Sequence, residues 1–241
     1  EGDQSEIRLS SIPIDQVVRI EIQLGGSGVF YGEGATAGVI NIMTLASSDE
    51  IHQTNTANIS AGVGTFRTNE IKTNANYHRD HVELGFSSFN RNSDGYRVNA
   101  SNNQEDVALS LKYRIDNKNR VGLSTSRNDF YALTPGSLTL AEFYENPKAA
   151  QASSLANHTN ISVLSDKTAF FWQTLWEDFQ IRLDMTQRNR HLGSLGVLYG
   201  EVTPLKFDSR NNQYGFNATR IFDGESVQNT LSLGAETSDW T

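Results

Sequence analysis

Val17-Val18-Arg19-Ile20-Glu21-Ile22-Gln23-Leu24-Gly25-Gly26-Ser27-Gly28-Val29-Phe30-Tyr31-Gly32-Glu33-Gly34-Ala35-Thr36-Ala37-Gly38-Val39-Ile40-Asn41-Ile42 is the stretch on which the reading of this chain turns. Ile20, Ile22 and Leu24 alternate with Glu21 and Gln23, the period-two pattern of a half-buried strand. Gly25, Gly26 and Gly28 then break the pattern and permit positive φ and close backbone approach. Val39 to Thr44 resumes it, so the stretch predicts two short strands joined by a glycine-kinked loop. Upstream, Pro13 ends an extended piece and Asp15 is placed to cap a helical turn from Asp15 to Val18.

Glycines before an apolar strand also suggest phosphate binding. A Walker loop needs Gly-Lys-Ser/Thr, which the chain lacks, and Gly32, Gly34 and Gly38 break the helix that a dinucleotide fingerprint requires. A tight turn without a ligand is the plain alternative.

Beyond Asp49-Glu50 the texture becomes a ladder. Asn58 to Gly64 begins an alternating run. From Glu70 to His78, Ile71, Thr73, Ala75 and Tyr77 alternate with Lys72, Asn74, Asn76 and His78. Val82, Leu84 and Phe86 follow after Arg79-Asp80, then Val107 to Ile115, the turn Asp116-Asn117-Lys118-Asn119, and Val121 to Thr125. Short turns are expected at 79–80, 116–119, 176–178 and 223–225, and long links at 90–104, 132–157 and 191–210. Within 132–157, Thr139 and Glu142 have capping-box spacing before a short helix, Leu140 to Tyr144. Long connections at one end and short ones at the other are the pattern of an outer-membrane barrel. Phe170, Phe171, Trp172, Trp176 and Phe179 surround one short turn, as an aromatic girdle does, and Lys112, Arg114, Arg182, Asp184 and Arg188 fall where a wet lumen would be lined. A packed hairpin end and a solvated sheet face are the soluble alternatives.

Composition narrows the classes. No apolar run reaches the roughly 18 residues of a membrane helix, but a barrel strand hides in average hydropathy because only alternate residues are apolar. A net charge of -8 argues against a nucleic-acid surface, and the absence of cysteine excludes disulfides and thiolate metal sites. The histidines, His52, His78, His81, His158 and His191, have no zinc-protease spacing; His78 and His81 flank a turn and read as solvated. Ser27 lies in Gly26-Ser27-Gly28 rather than a nucleophile elbow, and Asp178 and Asp184 define no acid–base pair. No catalytic residue, metal ligand or cofactor is expected.

The opening stretch closely resembles the C-terminal part of the plug in TonB-dependent outer-membrane receptors. The residues that carry the resemblance are Arg19, Glu21, Gly25, Tyr31, Gly32, Gly38, Val39, Ile40, Asn41 and Ile42, with Gly26 and Gly34 in the turns and Leu9-Ser10-Ser11-Ile12-Pro13 before them. The resemblance implies a mostly β chain: the C-terminal portion of a plug in 1–50, then about nine strands of a transmembrane antiparallel barrel in 51–241. Many members have Arg-Gly-Pro where this chain has Leu24-Gly25-Gly26, so their plug–wall ion pair does not carry over. Glu1-Gly2-Asp3-Gln4 is no signal peptide and Trp240-Thr241 stops in an alternating run, so the chain reads as a piece of a longer protein. The implied function is non-enzymatic, TonB-energised uptake across the bacterial outer membrane of a scarce nutrient, an iron–siderophore complex before haem or cobalamin. The implied partners are TonB, reached through the missing N-terminal part, outer-membrane lipid and the nutrient. The alternatives are an extracellular β-sheet binding or adhesion module, and a secreted enzyme using Glu142 and Glu145.

Overall fold

The computed structural model describes residues 17–25, 37–44, 55–198, 201–223 and 228–241. Strand β1 (Val17–Leu24) pairs antiparallel with β2 (Gly38–Thr44), placing Ile20 opposite Ile42 and Ile22 opposite Ile40. Val17 and Val18 are therefore strand residues rather than the end of a helical turn. Asp15, Gly26, Tyr31, Gly32, Gly34 and His52 lie outside the described residues.

The second sheet has nine strands: β3 (Thr56–Gly64), β4 (Thr68–Arg79), β5 (Val82–Ser93), β6 (Asn102–Arg114), β7 (Asn119–Leu133), β8 (Asn160–Trp176), β9 (Phe179–Leu198), β10 (Glu201–Asp223) and β11 (Gln228–Trp240). Each pairs antiparallel with its neighbour in sequence, so the sheet is an up-and-down meander without a crossover. Local chemistry sets the tight turns. Asp116 accepts from the Lys118 and Asn119 amides at 2.7 and 2.8 Å, closing an Asx turn. Its carboxyl is held below the usual range, first by the Asn119 side chain and then by those amides.

The sheet is inside out. Apart from Val163 and Phe171, the buried side chains among the described residues are polar: Ser87, Ser93, Gln104, Asp106, Lys112, Ser154, Thr159 and Gln173. On β6, Gln104, Asp106 and Lys112 are 7%, 5% and 8% exposed, whereas Leu109 and Leu111 are 51% and 42% exposed. A sheet stabilised by water would reverse this. Among the described residues these polar side chains are buried against cross-strand partners on their own face, as Lys112 is against Glu83 and Asp106 against Asn128.

The outward apolar residues form a continuous belt. Tyr77, Leu84, Leu111, Leu123, Phe170, Met185 and Tyr214 stand opposite one another in a row across seven strands, and all are exposed. The belt also drifts along the strands. The row through outward Ile59 on β3 runs by Thr73, Ser88, Val107, Arg127, Asp166, Asn189 and Arg210 to Thr241. The exposed Leu233 of β11 lies eight residues short of Thr241. Eight residues at about 3.4 Å, over eight strand spacings of about 4.8 Å, correspond to a tilt of about 35°. A level hydrocarbon slab crosses tilted strands in this oblique way, and closed barrels tilt by about 35–45°.

The described connections at one end are 80–81, 115–118 and 177–178; at the other they are 65–67, 94–101 and 134–159, while 199–200 and 224–227, where the sequence predicts a short turn at 223–225, lie outside the described residues. Two expectations need correcting. The polar stretch 90–104 is a loop only at 94–101, because β5 continues to Ser93 and β6 starts at Asn102. Residues 191–210 are not a loop: β9 and β10 pair through them, from Asn189 opposite Arg210 to Leu198 opposite Glu201. Gly193, Gly196 and Pro204 give that stretch its loop-like look. Pro204 is tolerated because, among the described residues, β10 has only β9 beside it there, β11 joining at Asn211. A tilted strand needs only about 9–11 residues to cross hydrocarbon, and β9 and β10, at 20 and 23 residues, are about twice that length.

Leu123→Arg, at the centre of the belt, is expected to cost about 2–4 kcal/mol of folding free energy in a bilayer. Ser124→Lys, one residue along on the polar face, should stay within about 0.5–1 kcal/mol. Urea titration of the protein in vesicles measures both; equal costs would contradict the assignment of faces.

Candidate functional site

Three structures carry the functional possibilities: the β1–β2 hairpin, the polar face and the loops at the long-link end. On the hairpin, Glu21 stands opposite Asn41, whose Nδ2 donates to Glu21 Oε2 at 3.2 Å. Arg19 reaches the other carboxylate oxygen at 2.9 Å and lies beside the Met43 sulfur at 3.2 Å. Arg19, Glu21 and Asn41, separated in sequence, thus form one cluster. The pair is half exposed and contributes on the order of 0–1 kcal/mol, so it orients the strands more than it holds them. Gly25 has φ +97° and donates to the Ala37 carbonyl at 3.2 Å, closing the neck of the loop. Gly38 has φ +154°, and a β-carbon there would lie 2.7 Å from the Gln23 carbonyl oxygen. Ile20, Ile22, Leu24 and Ile40 are exposed on the hairpin's apolar side.

The polar face is a wall of paired charges and amides. Lys112 meets Glu83 at 3.8 Å, with the His78 ring 4.0 Å from the same carboxylate. Arg182 pairs with Asp184 at 2.9 Å, and Arg120 donates to Gln173 at 2.7 Å. Asp106 accepts from Gln104 at 2.7 Å and from Asn128. Register places Arg114 and Arg188 on this face too. Of the expected girdle, Phe170, Trp172 and Trp176 alternate onto the outward face, but Phe171 turns inward and is buried. The reason is Gly122 opposite it, where a β-carbon would come within 2.1 Å of the ring, while the Arg182 guanidinium lies over that ring at 4.3 Å. His78 and His81 face different partners, His81 Nδ1 meeting the Arg114 carbonyl. Among the described residues no group of three or more His, Asp or Glu is placed to hold a metal.

The loops interlock. Helix α1 (Leu140–Glu145) has the expected capping box: Thr139 Oγ1 accepts from the Glu142 amide at 3.3 Å, and Glu142 accepts from the Thr139 amide at 2.8 Å. The bonds that its carboxylate accepts, from the Thr139 amide first and then from the Thr139 hydroxyl, hold the Glu142 carboxyl below its usual range. The cap is therefore intact at neutral pH and lost as the pH falls through that lowered pKa. A second short helix, α2 (Ala152–Ala156), was not evident in sequence. Nor was the clamp that holds both. Arg97, in the neighbouring loop, donates to the carbonyls of Ala149 at 2.9 Å and Gly136 at 2.8 Å. Asn99, at φ 57°, donates to the carbonyls of Thr134 at 2.9 Å and Ser154 at 3.3 Å. Phe66 stacks edge-on with Tyr96 at 5.7 Å and Arg67 pairs with Asp94, tying in the 65–67 turn. No local motif announces such a clamp, because its acceptors are backbone carbonyls gathered by topology.

Neither a protein-family model nor a curated protein sequence matches the chain. Solved structures do. The ferric yersiniabactin uptake receptor FyuA of Yersinia pestis superposes with a TM-score of 0.80 at 15% identity, over 93% of this chain and 36% of that one. The chain has the fold of the TonB-dependent outer-membrane receptors. The open form of the ferric-catecholate import receptor Fiu of E. coli K12 gives 0.69 at 17% identity, over 93% of this chain and 39% of that one. The siderophore receptor PiuA of Acinetobacter baumannii gives 0.72 at 14% identity, over 93% and 35%. The chain thus spans little more than a third of the length of these receptors.

Arg97→Ala should leave the strands intact and free the 134–159 loop. Bonds from a charged donor are worth about 1.5–3 kcal/mol each, so losing one such contribution should speed amide exchange in 134–159 by about 10–100-fold. Hydrogen exchange read by mass spectrometry checks this; unchanged exchange in that loop would remove the clamp.

Proposed function

We propose that this chain forms the C-terminal part of the plug, in 1–50, and nine wall strands, in 51–241, of a TonB-dependent receptor in the bacterial outer membrane. The observation that carries the reading is the inside-out meander with its oblique apolar belt and its long link at one end. Closure in hydrocarbon then requires strand partners for the outer edges of β3 and β11. The receptor is a transporter rather than an enzyme. Its cargo is a scarce nutrient, and a ferric chelate is the favoured class because the similar structures include receptors for ferric catecholate and ferric yersiniabactin. TonB would engage the segment preceding the plug.

In this reading the clamped loops form part of the outer mouth, where the chelate is first held. Of the plug-motif residues, Arg19, Glu21, Gly25, Gly38 and Asn41 shape the hairpin, and Gly26, Tyr31, Gly32 and Gly34 lie outside the described residues. Arg19 is already engaged by Glu21, and Leu24 replaces the family arginine that reaches the wall. The plug–wall ion pair of members with that arginine therefore does not carry over to Leu24.

Single cysteines introduced at 137–150 in the full-length protein should react with a membrane-impermeant thiol reagent on intact cells. Those at 80–81 and 115–118 should react only after the outer membrane is opened. Equal labelling at both ends would contradict the orientation. Tryptophan-fluorescence titration with ferric siderophores, haem, cobalamin and oligosaccharides then separates cargo classes. Micromolar or tighter binding, about -8 kcal/mol, is expected for a ferric chelate. Binding of a sugar alone would overturn the iron assignment and leave the transporter reading standing.

A further inference from the structure

On the polar face, Lys167 of β8 stands directly opposite Arg188 of β9, and Arg190 stands opposite Ser165, one pair nearer the loops. Like charges opposite each other on adjacent strands repel and destabilise the pairing. Among the described residues none of these three side chains forms an ion pair or a hydrogen bond. Elsewhere on this face cations are engaged: Lys72 by Glu70, Lys112 by Glu83, Arg182 by Asp184 and Arg120 by Gln173.

The neighbouring carboxylates are committed. Asp106, three strands from Arg190 on the same row, accepts from Gln104 and Asn128. Asp184, four residues from Arg188 along β9, is held by Arg182. Asp166, next to Lys167 in sequence, alternates onto the outward face and pairs there with Arg127. Arg188 is exposed and Lys167 and Arg190 are half-buried, so a solute in the lumen can touch all three. Ser126 opposite Lys167, and Asn211 opposite Arg188, add uncharged donors. Cations with hydroxyl and amide donors are the complement of an oxyanion.

The outward face fixes the height of this cluster. Phe170, Trp172, Leu183 and Met185 of β8 and β9 belong to the apolar belt, and the outward residues next toward the loops are Thr168 and Gln187, then Asp166 and Asn189. The three cations are therefore level with the edge of the belt on the side of the 134–159 loop. A solute entering past that loop meets them.

We propose that Lys167, Arg188 and Arg190 bind an anionic oxygen group of the cargo, and that the receptor thereby selects a ferric chelate of net negative charge over a neutral one. This inference rests on the receptor reading and narrows its cargo. A neutral chelate leaves the three like charges uncompensated, whereas an anionic one offsets them by an amount that salt screens.

The test uses the full-length receptor in micelles of an uncharged detergent, titrated calorimetrically with two ferric chelates of similar size. One is the trianionic complex of a hexadentate tris-catecholamide, the other the neutral complex of a hexadentate tris-hydroxamate. At low salt the trianionic chelate should bind about tenfold or more tightly than the neutral one, and only its affinity should fall as salt is raised. Lys167→Gln and Arg188→Gln should each weaken it by about tenfold, leaving the neutral chelate unaffected, and Arg188→Lys should retain most of the affinity. Because repulsion is relieved, unliganded Arg188→Gln receptor should resist urea at least as well as the unaltered one; lowered resistance would mark a structural role and overturn the proposal. Equal affinity for the two chelates, or unchanged affinity in the variants, would overturn the anion site and leave the receptor reading standing. Faster amide exchange in β1 and β2 of those variants, with chelate binding unchanged, would assign the cations to a plug carboxylate instead. Failure of the trianionic chelate to bind a protein that shows heat-modifiable migration on a gel would also overturn the anion site. A protein that binds neither chelate and lacks that migration would overturn the receptor reading itself.

Discussion

A backbone amide in hydrocarbon has no water to turn to, and every feature of this chain follows from how that demand is met. An unpaired N–H or C=O in the membrane costs several kcal/mol, so a strand there needs a neighbour on both sides. The meander supplies this for β4 to β10 with an unbroken antiparallel ladder. Once the backbone is satisfied, the faces separate: apolar side chains are mostly outward and polar ones mostly inward, Phe171 being an exception set by Gly122. The tilt needed for closure then forces the lipid belt to run obliquely across the strands.

The wall's inner face shows how polar burial is made tolerable. Lys112 with Glu83, Arg182 with Asp184, and Asp106 with its two amides are each matched by a group on the same or the adjacent strand. The one large aromatic turned inward, Phe171, occupies space left by Gly122 and sits beneath Arg182. At the long-link end the same economy applies to loops. Arg97 and Asn99 satisfy carbonyls of a 26-residue link, 134–159, which would otherwise depend on water. That link is thereby a shaped surface instead of a random coil.

Much of this was legible in sequence because period-two alternation is local. The strands through 70–89 and 107–125, the Asp116 turn and the Thr139–Glu142 cap each need only adjacent residues to be recognised. What escaped depends on distant partners. Gly193, Gly196 and Pro204 signal a loop until β9 and β10 are seen to pair through them. Phe171 reads as one of a girdle until Gly122 is placed opposite. The hairpin cluster was half legible: Arg19, Glu21 and Asn41 were picked out by resemblance, but only the register shows that Glu21 and Asn41 are opposed. Arg97 had no signature at all.

The most direct test of the central claim is collision accessibility along β6, with a nitroxide placed singly at 107 through 112 in the full-length protein in bilayers. Outward positions 107, 109 and 111 should collide preferentially with oxygen dissolved in lipid, and inward positions 108, 110 and 112 with a water-soluble nickel chelate. That gives two accessibility curves of period two and opposite phase. Curves in phase, or nickel access at every position, would show that this sheet stands in water and is not a barrel wall.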